Sequence, residues 1–160
     1  MKAMARQPGF TLPEAMIVVA IIGILAMLAL PSMTSLLTTQ AVRSSSYDLF
    51  ADLIYARSEA ISRGVTVTVT GASGTDWKQG WNVTVNAGAT TLRSQSASGA
   101  ALTFVGSQNA ISYERTGRAT NAAEVQFSIV PVDSSAQPSQ KRCIKLDPSG
   151  RPRTAEGACP

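Results

Sequence analysis

The run from Ala15 to Leu30, AMIVVAIIGILAMLAL, constrains this chain more than any other feature, because it holds no charged or hydrogen-bonding side chain. With Phe10 and Leu12 ahead of it, it approaches the roughly 20 residues a helix needs to cross a bilayer. In lipid a single such segment satisfies its own backbone only as a helix. Lys2 and Arg6 lie on its N-terminal side. The excess of positive charge there predicts an N-terminus in the cytoplasm and everything after Leu30 beyond the membrane.

Three readings compete for this stretch. A cleaved secretory signal needs basic residues, a short apolar core and a small-residue site, which the region near Ala29 loosely supplies. A plain membrane anchor is the second. The third rests on what precedes the apolar run: a short basic leader ends in Gly9, Phe10 follows at once, and a lone acid, Glu14, is the fifth residue after the glycine. Gly9-Phe10-Thr11-Leu12-Pro13-Glu14 resembles the class III signal of type IV pilins and pseudopilins. The resemblance implies cleavage between Gly9 and Phe10 by a prepilin peptidase, methylation of Phe10, and a retained helix that anchors the chain and later joins a fibre core. It also implies an assembly role for Glu14, paired with the free amine of Phe10 on a neighbouring subunit. Electrostatics alone offers another reading of Glu14. A carboxylate within a bilayer costs about 3 kcal/mol, which a place near the interface avoids. Pro13 departs from the aliphatic residue usual in that signal. Near a helix start its missing N–H costs little, because the first four N–H groups lack partners anyway.

The 160 residues carry a net charge of +4, and loss of Lys2 and Arg6 with the leader leaves +2. The chain beyond the anchor suffices for one small domain with one core. There is no histidine, which removes the commonest general base and the commonest metal ligand. With no nucleophile elbow and no metal-spaced cluster either, neither an enzyme nor a metal or cofactor is expected. The two cysteines, Cys143 and Cys159, lie close together. On the oxidising side of a membrane they are expected to form a disulfide.

From Pro31 the sequence turns polar but keeps a helical rhythm. Tyr47, Phe50, Ile54 and Ile61 recur at helical spacing, with Leu49, Leu53, Ala56 and Ala60 beside them, while Asp48, Asp52, Arg57 and Arg63 fall on the other side. Gly64 is a good stop. One helix of about 54 residues, roughly 80 Å, is expected, with a bend at Pro31. Strict alternation in Val65–Thr70 predicts a strand. Further strands are expected at 81–85, 90–93, 102–105, 111–113 and 125–130, spaced as an antiparallel meander. Trp77 and Trp81 are core residues or, alternatively, a ligand stack.

Ile111-Ser112-Tyr113-Glu114-Arg115-Thr116-Gly117-Arg118-Ala119, then a strand, then a basic strand with a cysteine, resembles the GspH/FimT family. That resemblance implies an α+β fold, a long N-terminal helix packed on two antiparallel sheets. The expected organisation is a leader at 1–9, a transmembrane helix at 10–30, its amphipathic continuation at 31–64 and a β-rich domain at 65–160.

The C-terminal segment is basic. Asp147-Pro148-Ser149-Gly150 has the residue preferences of a type I turn. Arg151 precedes Pro152 and is pushed to an extended conformation, so Arg151 and Arg153 are expected on one side, about 6.6 Å apart. A Cys143–Cys159 bridge would enclose both. Guanidinium groups held in this way match phosphate oxygens, and Lys141, Arg142 and Lys145 are near in sequence. The segment has no aromatic residue for base stacking. The contact such a segment offers is therefore with the backbone of a nucleic acid, salt-dependent and nearly blind to sequence. Against this stands the ordinary reading of a basic run as solvated surface, or as a partner for acids on a neighbouring subunit. Gly150-Arg151-Pro152-Arg153 resembles the C-terminal Gly-Arg-x-Arg motif of FimT-like minor pilins, which implies DNA binding during natural transformation. Gly117-Arg118 repeats the dipeptide without the second arginine and reads first as a turn belonging to the wider family, with Arg118 extending the basic patch as the lesser alternative. The expected location is the bacterial inner membrane, with the folded domain in the periplasm, and then the pilus. A pseudopilin of type II secretion that binds only its own kind is the alternative.

Overall fold

The computed structural model describes residues 11–86, 88–121, 123–133 and 135–160, with the backbone alone for 28–32. Gly9 and Phe10, the expected cleavage and methylation residues, lie outside the described residues. Two compact units are present, one up to Leu37 and one from Thr38 to Pro160, and helix α1 (Leu12–Arg63) belongs to both.

In the first unit the start of α1 explains Pro13 and Glu14 locally. The Ala15 amide donates to the Thr11 carbonyl at 3.2 Å, the first helical hydrogen bond. The Glu14 carboxylate accepts from the Thr11 amide at 3.5 Å. Thr-x-x-Glu is the sequence of a capping box, and this contact is its return half. Pro13 sits where a backbone N–H has no helical acceptor. Among the described residues, no helix is long and apolar enough to cross a membrane. Phe10 and the side chains of Leu28–Leu30, which belong to the expected span, lie outside the described residues.

The second unit packs α1 on an antiparallel sheet. The helix buries Val42, Leu49, Leu53, Ala56 and Ala60 completely. The expected inward stripe is corrected here, since Tyr47, Ile54 and Ile61 are 71%, 46% and 52% exposed. The helix carries two apolar stripes on opposite faces, and the sheet covers the one with Ala56 and Ala60, whose short side chains let the backbones approach. Asp52, expected on the outer side, is buried. It accepts hydrogen bonds from Trp81 Nε1 at 2.9 Å and Arg93 Nη1 at 2.7 Å. The Arg93 guanidinium also lies 4.4 Å from the centre of the Tyr55 ring. Away from the core, Gln40, Ser44, Tyr47, Ala51, Ile54 and Ser58 follow one another in steps of four and three residues, all exposed and all uncharged, and Ile61, half-exposed on the flank, packs against the Gly117 loop. Gly64 ends the helix in the left-handed conformation.

Eight strands follow: β1 (Val67–Ser73), β2 (Asp76–Val85), β3 (Thr90–Gln95), β4 (Leu102–Gly106), β5 (Ala110–Tyr113), β6 (Val125–Pro131), β7 (Arg142–Leu146) and β8 (Pro152–Glu156). Every pairing is antiparallel, but the order β5-β1-β2-β4-β6-β7-β8, with β3 also on β2, is not a meander. β5 crosses over to pair with β1 instead of staying beside β4. The two expected sheets are two wings of one network, joined by the single pair Asp76–Val105. Alternation places Val125, Phe127 and Ile129 of β6 in the core beside Ile144 and Leu146 of β7. Trp77 and Trp81 are core residues. Trp77 meets Phe127 edge-on at 4.9 Å, and Trp81 meets Phe104 at 5.7 Å.

Candidate nucleic-acid interface

β7 and β8 form the last hairpin, with β8 at the sheet edge. Asp147–Gly150 makes the turn, closed by the Gly150 amide donating to the Asp147 carbonyl at 2.9 Å. The Asp147 side chain organises the tip. It accepts from the amides of Ser149 at 2.9 Å and Arg151 at 3.3 Å and from the Ser149 hydroxyl, and Arg153 Nη2 lies 4.0 Å away. The hydroxyl of Ser149 first, then the two amides and the Arg153 charge, hold the Asp147 carboxyl below its ordinary range. The open end of the hairpin is closed by the Cys143–Cys159 disulfide, with the Cα atoms 5.0 Å apart. Its loop contains the turn and both arginines.

Gly150 has a structural reason to be glycine. Its φ is +79°, and a Cβ there would lie 2.2 Å from the carbonyl oxygen of Gly117 and 3.3 Å from the amide nitrogen of Ala119. The turn therefore rests on a second loop, Glu114–Ala119. That loop is closed by Gly117 N–H to Glu114 O at 2.7 Å and Glu114 N–H to Arg118 O at 2.9 Å. The helix holds the loop in turn, through Arg57 Nε donating to the Gly117 carbonyl at 3.0 Å and through Ile61 beneath Gly117. Tyr113 fills the floor, fully buried, with its hydroxyl unpartnered. Burial raises its phenol well above the ordinary value; the nearby Arg57 charge opposes this and Asp147 adds to it.

The sequence-selected cations are only partly brought together. Arg151 and Arg153 are exposed. Lys145 faces Arg153 directly across the hairpin and also reaches Glu124 at 3.6 Å. Arg142 belongs elsewhere. Alternation puts it on the opposite face from Lys145, and its side chain is 15% exposed and pairs with Glu156 at 3.4 Å. Its guanidinium also donates to the carbonyls of Ser139 at 2.9 Å and Lys141 at 2.8 Å. Lys141 is half-buried at the start of the strand. The surface thus contains Arg151, Arg153 and Lys145, with Gly150 buried beneath the turn and Arg142 serving the fold. Sequence reasoning missed the contribution of Arg57, whose only sequence signal is its place on a helix that covers the sheet.

The remaining candidates resolve simply. The indole N–H groups of Trp77 and Trp81 are committed to the Gln108 carbonyl and to Asp52. The adjoining cleft of about 270 Å³ is lined chiefly by serines, Asp48, Lys78 and Gln95 above these rings. Among the described residues no group of His, Cys, Asp and Glu has the arrangement of a metal site.

Comparison with known proteins agrees with this architecture. The sequence model of a family described as type II transport protein GspH matches residues 46–150, and one described as prokaryotic N-terminal methylation motif matches residues 4–30. The first match ends at Gly150, before the two arginines. Two crystal structures of the type IV minor pilin FimU of Pseudomonas aeruginosa share the fold at 23% sequence identity. One, in space group P21, has a TM-score of 0.62 over 71% of this chain and 87% of that one. The other, in space group P65, has a TM-score of 0.60 over 71% and 91%. No curated protein matches.

Proposed function

This chain belongs to the GspH family of type II transport proteins, and from that footing we propose that it is a minor type IV pilin that binds extracellular DNA for uptake in natural transformation. The carrying observation is the tip of the last hairpin, where Arg151 and Arg153 stand exposed on a turn held by a disulfide and by Gly150. Arginine stays charged at all relevant pH, and its planar fork suits phosphate oxygens. Lys145 adds charge beside Arg153, and no aromatic ring in the tip offers a stacking platform. Contacts to the backbone of a duplex, weakened by salt and indifferent to sequence, follow from that chemistry.

The N-terminal methylation motif supports processing after Gly9 by a prepilin peptidase, methylation of Phe10 and anchoring in the inner membrane before incorporation with other pilins into the pilus. Glu14 serves two purposes in this reading, capping its own helix and meeting the amine of a neighbouring Phe10. A second reading, a structural pseudopilin of type II secretion with no nucleic-acid ligand, is favoured by the family match ending at Gly150 and by the uncharged outer seam of α1.

A mobility shift of duplex DNA by the full-length protein in nonionic detergent separates the two. Arg151→Gln with Arg153→Gln is expected to abolish the shift, and wild-type affinity should fall steeply between about 50 and 200 mM salt. An unchanged shift in the double variant would remove the DNA reading and leave the assembly role.

A further inference from the structure

We propose that the loop Glu114–Ala119 is a second phosphate-binding element, and that with the hairpin tip it forms one two-loop surface for duplex nucleic acid. The inference rests on the DNA reading above and extends it to residues remote in sequence. The main chain of the loop touches Gly150, whose Cα leaves 2.2 Å between a would-be Cβ and the Gly117 oxygen and 3.3 Å to the Ala119 nitrogen. Arg118 lies between those two contact points, and Arg151 is the residue after Gly150. Two exposed arginines from different loops therefore flank a single backbone contact. Arg115 is exposed in the same loop. Among the described residues, neither the Arg115 nor the Arg118 guanidinium has a hydrogen bond or ion pair, and the same holds for Arg151.

The two loops are held together. Arg57 donates to the Gly117 carbonyl at 3.0 Å, and Ile61 closes the space behind Gly117. The Gly117 amide is spent on the Glu114 carbonyl, so the loop keeps its shape without help from the arginines. Acids are few. Glu114 lies within the loop, Glu124 pairs with Lys145 at 3.6 Å, and Asp147 is engaged by Ser149, the Arg151 amide and Arg153. A surface with cations on two neighbouring loops whose main chains are held together, and with no stacking ring, fits the regularly spaced phosphates of a duplex.

The test uses the full-length protein in nonionic detergent and a fluorescein-labelled duplex, with Kd measured by anisotropy across a salt series. Arg115→Gln with Arg118→Gln should weaken binding severalfold at fixed salt. It should also reduce the magnitude of the slope of log K against log salt by about two, since each phosphate contact contributes roughly 0.9. Arg43→Gln with Lys78→Gln removes the same charge elsewhere and should leave the slope as in wild type. A wild-type slope in Arg115→Gln/Arg118→Gln overturns the two-loop surface while leaving the hairpin reading intact. An equal drop in the Arg43/Lys78 control overturns it too, because general charge would then explain the effect. Absence of binding by wild type itself would strike the underlying DNA reading, a distinct result.

Discussion

The α-carbon of Gly150 rests on the carbonyl of Gly117, so close that a methyl group there would sit 2.2 Å from that oxygen. Gly150→Ala meets two penalties, a left-handed φ and a backbone clash that no side-chain rotation relieves. A loss of about 2–4 kcal/mol is expected, above the usual range for a surface turn. Thermal denaturation of the variant checks this. A melting temperature equal to wild type would show that the two loops separate freely.

Asp52 couples the helix to both Trp81 and Arg93. Arg93→Ala leaves a buried carboxylate with only the indole as partner, which should cost about 3 kcal/mol even though Arg93 is half-exposed, because the stranded charge lies inside. Asp52→Ala strands only the Trp81 N–H and a solvent-reached guanidinium, so about 1–3 kcal/mol is expected. A double-mutant cycle by urea denaturation measures the coupling. Additive losses would mean that the pair does not act as one unit.

The Tyr113 phenol is buried without a partner, and its ionisation is raised by burial. The folded state holds this proton more tightly than the unfolded chain. The stabilising contribution is thus complete below the ordinary phenol value near 10 and is lost as pH rises beyond it. Absorbance titration should show one phenolate that appears only together with unfolding and that is missing in Tyr113→Phe. The Phe variant itself should be neutral or slightly more stable, since an unsatisfied hydroxyl is removed.

Asp147 behaves with the opposite sign. Its folded value is depressed by Ser149, the backbone amides and Arg153. Its contribution is present above the ordinary carboxylate range near 4 and disappears as pH falls through the lowered value. The protection of the Ser149 and Arg151 amides, measured by NMR relative to intrinsic exchange at each pH, should therefore fall at acid pH. Asp147→Asn should remove that dependence.

Ile54 lies in the uncovered seam of α1 and is 46% exposed. Ile54→Lys should leave the melting temperature within about 3 °C of wild type, because surface substitutions seldom exceed 0.5 kcal/mol. It should still reduce recovery of the protein with sheared pili, since it places a charge in the uncharged seam beside the exposed Tyr47 and Ala51. Wild-type recovery would place the contact on another face.

Much of the architecture was readable from residue order. The alternation in Val65–Thr70, the Gly64 stop and the cysteine pair each have a local physical meaning; the stop and the bridge appear in the fold, and the strand appears shifted, at Val67–Ser73. The inward stripe of α1 was not readable. Tyr47, Ile54 and Ile61 satisfy helical spacing as well as Leu49, Leu53, Ala56 and Ala60 do, and only the sheet decides which stripe it can approach. The crossover of β5 to β1 was hidden for a related reason, because hairpin spacing says which strands are near in sequence and nothing about later returns. At the hairpin tip, the exposure of Arg151 and Arg153 was readable from the turn and the proline between them. Arg142 misled, because proximity in sequence along a strand places neighbours on opposite faces. The loop at Arg118 could be joined to the patch only through a contact between two glycines.

The register that sets Lys145 opposite Arg153 carries a further consequence. Like charges facing each other across a hairpin are mutually repulsive, and the acids Glu124 and Asp147 temper that repulsion only from the sides. An anion seated between the two would replace repulsion with attraction, so occupancy and folding become thermodynamically linked. Heat resistance of the domain then doubles as a gauge of anion occupancy: polyphosphate added to the protein should raise its melting point, and sulfate at equal ionic strength should do so less.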